Sequence, residues 1–129
     1  LRECWRVLRP GGRICVGEVW RGSPVDAFLN DFVHRHNSQG HVGEFLDAGF
    51  MGLLEQAGFA DADHVLRHYE WTFNGIPAMV DYCRNLFGID QADDAQLEAG
   101  LRQYLGFRAQ PEGGFALPWQ LVFYRAQKP

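Results

Sequence analysis

Five histidines and three cysteines are the side chains of this sequence best suited to chemistry. His34, His36 and His41 lie close together, and a His-x-His pair suggests a metal site. Residues two apart on a helix point in different directions, however, and no third ligand stands at a familiar spacing, so no metal is expected. His36 falls on the apolar face of its helix, where it either packs or serves a pocket as base or hydrogen-bond donor. His34 falls on the opposite face. His64 and His68 lie on the more polar side of a strand and read as solvated. Cys4, Cys15 and Cys83 are odd in number, far apart and outside any Cys-x-x-Cys pair, which argues against a disulfide framework and a zinc knuckle. They fall on apolar faces with no adjacent base to form a thiolate, and read as structural.

The elements that hold these groups follow from hydrophobic spacing. Leu1, Cys4, Trp5 and Leu8 recur at helical spacing, Pro10 cannot continue the helix, and Gly11 and Gly12 supply a tight reversal. Residues 13–20 then read as a strand with apolar residues on both faces. Ser23 is an N-cap, with Pro24 at the first helical position and Asp26 in the first turn of a helix whose apolar face is Val25, Phe28, Leu29, Phe32 and Val33. Residues 37–43 are polar and glycine-rich, a loop before a second helix from about Glu44 that turns Leu46, Phe50, Leu53, Leu54 and Ala57 inward and stops at Gly58. Alternation over residues 62–73 predicts a strand, with Val65, Tyr69, Trp71 and Phe73 on one side. Pro77 opens a helix burying Met79, Val80, Cys83, Leu86 and Phe87. Asp93 or Asp94 caps another, striped by Leu97, Leu101, Tyr104 and Leu105. Residues 107–114 read as loop, and residues 117–126 as a last strand, alternating Trp119, Leu121 and Phe123 against Gln120, Val122 and Tyr124.

A chain of 129 residues that is 47% hydrophobic and 22% charged has the balance of a single globular domain, 1–129, with its own core. The formal charge of −4 and the lack of a Lys/Arg cluster exclude nucleic acid as the first expectation for a partner. No apolar run approaches the ~20 residues that span a bilayer, so a membrane is not expected either, and the thiols fit a reducing cytoplasm.

The order helix, Leu-Arg-Pro-Gly-Gly (8–12), strand, helix ending Gln-Ala-Gly-Phe (56–59), strand, and strand 117–126 followed by Gln-Lys-Pro resembles the C-terminal half of class I methyltransferases that use S-adenosylmethionine. The resemblance runs over nearly the whole chain. It implies an α/β fold, a partial Rossmann-like sheet of three strands. In it 13–20 is the family's fifth strand, 62–73 its sixth and 117–126 its seventh, in the order fifth-seventh-sixth with the last antiparallel. Parallel strands present their C-terminal ends to the ligand crevice. The insertions after Trp20 and after Phe73 would then emerge there as helical lid segments, 23–43 and 74–116, over a pocket for a small-molecule substrate.

By the same resemblance, Glu18 and Trp20 stand at the crevice end of the fifth strand, where a carboxylate orients an acceptor or takes its proton and an indole stacks on it. The alternative is a solvated or salt-bridged Glu18 and a core Trp20. Trp71, Tyr82, Arg84 and Trp119 would surround the lid opening and bind a flat or anionic acceptor, against a default of core packing for the tryptophans and solvent for the other two. The family holds its cofactor with a Gly-x-Gly-type loop after its first strand and an acidic residue ending its second. Neither is present, since Gly11-Gly12 follows a helix and Gly113-Gly114 precedes the last strand. The expectation is therefore a substrate-side part of a methyltransferase, without cofactor-binding residues and inactive alone. The alternative is a non-catalytic binding or assembly domain derived from one. In either case the apolar strand 13–20 would present an unpaired edge for self-association into a homodimer.

Overall fold

In the computed structural model, which describes residues 1–129, α1 (Arg2–Val7) leads into β1 (Arg13–Glu18). Next come α2 (Pro24–Ala27), a π-helical segment (Phe28–Val33) and α3 (His34–His36), continuous in sequence. The chain ends with α4 (Phe50–Gln56), β2 (Ala60–Phe73), α5 (Ile76–Phe87), α6 (Asp94–Tyr104), β3 (Arg108–Ala109) and β4 (Phe115–Gln127). It is an α/β fold. The strands form one four-stranded sheet in the order β1-β4-β2, with β3 pairing β4 off that path. β1 and β4 run antiparallel, from Arg13↔Gln127 to Glu18↔Val122. The residues gather into two compact units, one of Leu1–Arg21, Phe45–Arg67 and Leu121–Pro129, the other of Gly22–Glu44 and His68–Gln120.

The first unit is built on a core of Leu54, Phe59, Val122, Tyr124 and Ala126. Helix α1 is too short to persist alone, and side chains distant in sequence fasten it. Lys128, buried, donates from Nζ to the carbonyls of Trp5 and Leu8 at 2.8 and 2.7 Å, placing a cation on the carbonyl end of the helix. Its main chain exchanges hydrogen bonds with Gly11 and Gly12. Trp5 in turn donates to the Gly58 carbonyl at 3.2 Å. Gly58 has φ +94°, and a Cβ there would meet the Trp5 indole at 2.9 Å, so glycine is required twice over. The Pro-Gly-Gly, Ala-Gly-Phe and Gln-Lys-Pro segments are thus tied to one another.

The second unit buries Phe28, Met79, Cys83, Leu97, Leu101 and Leu117. Asp93 and Gln96 form a capping box at the start of α6, and Gly88, with φ +62°, ends α5.

Several sequence expectations are corrected. No helix starts at Glu44. Leu46 instead bridges Trp20 in parallel, Arg21 donates to the Phe45 carbonyl at 2.9 Å and pairs with Asp47, and α4 begins at Phe50, leaving Leu53 50% exposed. Helical spacing cannot report an arginine that holds the chain extended. The helix over 24–36 is π-helical in its middle, which apolar periodicity does not distinguish. β1 buries only one side, with Arg13, Cys15 and Gly17 exposed, and Cys4 is exposed as well. Tyr69 is also exposed. β4 changes phase: Leu117 and Trp119 are buried in the second unit, Val122, Tyr124 and Ala126 in the first, so no single alternation describes it.

Candidate functional site

In the second unit, local interactions hold the helix over 24–36 and the loop after it. Ser23 Oγ accepts from the Asp26 N–H at 3.2 Å. Asn30, inside the π-helical segment, donates to the Asp26 carboxylate and the Gly43 carbonyl, both at 3.0 Å, and accepts from the Gly43 N–H at 2.7 Å. Asp90 accepts from the Ser38 hydroxyl and N–H, which hold its carboxyl below the usual carboxylate range. Tyr104 donates to Asp31, beside Arg35. The shared hydrogen bond lowers the Asp31 carboxyl and raises the Tyr104 phenol.

Aromatic rings connect the elements of this unit. Trp71 stacks on Trp119 with centroids 4.6 Å apart, Trp119 on Phe87 at 5.7 Å, and Phe87 meets Phe28 edge-on at 5.5 Å. Beside Trp119 lies a cavity of about 180 Å³ lined by Pro24, Val25, His68, Leu105, Pro118, Trp119 and Gln120. It is partly open to solvent and mostly apolar, and beside the Trp119 indole N–H its hydrogen-bonding side chains come from neighbouring strands, His68 from β2 and Gln120 from β4. No Asp, Glu, Lys or Arg lines it.

The predicted site residues distribute as follows. Glu18 accepts from the Val19 N–H at 2.7 Å, and Trp20 packs against the core of the first unit and stacks on His64 at 5.7 Å. His64 is therefore engaged, and it also stacks on Tyr124 at 5.5 Å, a correction to its solvated reading. His36 lies on the Phe32 ring at 4.5 Å, and its Nδ1 is 3.3 Å from the Gln91 carbonyl oxygen; it does not line the cavity. Arg84 is committed to structure, donating to the Ile89 and Ala92 carbonyls at 2.8 and 2.7 Å and to Asp94 at 2.8 Å. Tyr82 lines a separate, broader hollow along α5 with Phe73 and Leu86. Trp71 reaches the cavity only through Trp119. Sequence reasoning missed the cavity role of His68 and Gln120. The available signal was Pro118, which lacks the N–H a ladder needs and marks a break within a strand.

The turn after β1 leads to the N-terminus of the short helix α2. Asp26 accepts from the Gly22 N–H there at 2.7 Å. Every buried side-chain nitrogen and oxygen has a partner.

No family model and no curated protein matches the sequence. Solved structures match the fold. A Bacillus halodurans C-125 protein described as a "putative methyltransferase" superposes with a TM-score of 0.55 at 18% identity, over 99% of this chain and 61% of its own. This is a methyltransferase-like fold. The YcgJ protein from Bacillus subtilis superposes with a TM-score of 0.59 at 15% identity, over 98% of this chain and 55% of its own. The chain thus spans less than two thirds of these structures, the coverage expected of a methyltransferase's C-terminal part. No helix is long and apolar enough to cross a membrane.

Proposed function

We propose that this chain is the substrate-side part of a methyltransferase that uses S-adenosylmethionine and acts on a small molecule. In this reading β1, β2 and β4 are the family's fifth, sixth and seventh strands. The second unit is the lid with its acceptor pocket, and the cofactor is held by residues other than these. The observation that carries the reading is the fold match over 98–99% of this chain against 55–61% of the matched ones. Methyl transfer relies on in-line positioning and exclusion of water rather than on a dedicated nucleophile. A small hollow on a strand-and-helix frame supplies the positioning.

Methyl transfer from labelled S-adenosylmethionine by the gene product carrying this chain tests the reading, run beside calorimetry of residues 1–129 with the cofactor. Transfer to a small acceptor is expected in the first experiment and no binding in the second. Micromolar cofactor binding by residues 1–129, or a gene product that transfers no methyl group, overturns it.

The position of β1 at the end of the sheet favours a second reading, a non-catalytic domain derived from a methyltransferase that associates through the outer edge of β1. That reading requires a dimer by light scattering, lost when a proline replaces Val16; a monomer contradicts it.

A further inference from the structure

His68 is set apart from the other four histidines. His34 and His41 are tied to the loop over 37–43, His36 lies on Phe32, and His64 stacks between Trp20 and Tyr124. The His68 side chain makes no hydrogen bond, ion pair or ring contact, and neither does that of Gln120. These two partnerless side chains stand on adjacent strands and line the same cavity. His68 is exposed and Gln120 half-buried, so both are solvated while the hollow is empty and are available to orient a ligand that enters it.

Size and charge narrow the ligand. An apolar cavity of about 150 Å³ holds a benzene molecule, so one of about 180 Å³ has room for a single ring and a small substituent. Larger, drug-sized ligands occupy roughly 300 Å³ or more. No Asp, Glu, Lys or Arg lines the cavity, so an ionised ligand finds no opposite charge there. The indole of Trp119 beside Val25 and Leu105 suits a planar ring.

We propose that this cavity takes an uncharged, single-ring molecule bearing a hydroxyl or N–H group, which donates a hydrogen bond to the His68 imidazole while the ring packs among Trp119, Val25 and Leu105. Gln120 completes the polar side. The assignment of this molecule as a methyl acceptor rests on the proposed function; the binding itself does not. A hydroxyl or N–H oriented by an imidazole is also the chemical form an acceptor needs, because its proton must leave as the new bond to carbon forms.

Titration of the full chain with phenol, anisole and benzoate, followed by tryptophan fluorescence and ligand-detected NMR, tests this. Phenol is expected to bind about three- to tenfold more tightly than anisole, which keeps the ring and loses the donor. Benzoate is expected to bind more weakly than either. His68→Phe, at an exposed strand position, should erase the preference for phenol while leaving anisole affinity unchanged. Gln120→Trp, which fills the cavity from a half-buried position, should abolish binding of both, with circular dichroism confirming the fold. Equal affinities for phenol and anisole, a preference that survives His68→Phe, tighter binding of benzoate, or no binding of any probe at millimolar concentration would each overturn the proposal. Intact discrimination in a gene product that transfers no methyl group would leave the binding site standing and remove only its enzymatic assignment. Methyl transfer that proceeds without the His68-dependent preference would do the reverse.

Discussion

Arg84 is held by two carbonyl oxygens and one carboxylate at the junction of α5 and α6, so its charge stabilises the fold and is not free for an anionic acceptor. The sequence has no means of showing that the Ile89 and Ala92 carbonyls converge on Arg84. The cysteines make the same point. All three read as structural, yet only Cys83 is buried, and burial raises its thiol to about 12, whereas Cys4 and Cys15 are exposed. At pH 8 a thiol reagent is therefore expected to modify two cysteines in the native protein and the third only after unfolding. Rapid native modification of Cys83 would contradict the packing of α5. His68 was legible as an exposed strand histidine but not as one without a partner, because that depends on what the other histidines bond.

At the scale of elements, α5 before Gly88 and α6 from its Asp93 cap stand where capping and periodicity predict them. Their packing depends on details that pattern does not carry. In α6 Gly100 is buried, and a Cβ there would run into the Phe32 ring. Gly100→Ala is expected to cost about 1–3 kcal/mol from overpacking, despite alanine's better helix propensity. Gly52→Ala, in α4 with nothing within 4 Å of the added carbon, is expected to stabilise by about 0.5–1 kcal/mol. Urea unfolding of the two variants reads the contrast, and similar effects from both would remove the Phe32 contact as the cause. α4 itself began later than predicted because Arg21 and Leu46 spend residues 45–47 on an extended bridge. β4 defeated a single alternation because its buried residues shift from odd to even numbers between Trp119 and Val122.

For the whole molecule, the three segments that suggested a methyltransferase C-terminal half are also the ones that Trp5 and Lys128 bind together in the first unit, so the resemblance rests on packed structure rather than scattered likeness. The α/β class was legible because the helix and strand periods differ so sharply. The cavity was not, since its lining comes from four separate stretches of the second unit, Pro24 and Val25, His68, Leu105, and Pro118 to Gln120. The central claim is that this cavity holds the acceptor of a methyl transfer whose cofactor binds elsewhere. Steady-state kinetics of the gene product, with cofactor affinity measured separately, tests it most directly. Gln120→Trp is predicted to raise the acceptor KM about tenfold or more while leaving the S-adenosylmethionine Kd within about twofold of wild type. An unchanged acceptor KM, or a cofactor Kd that rises in step with it, would contradict the account.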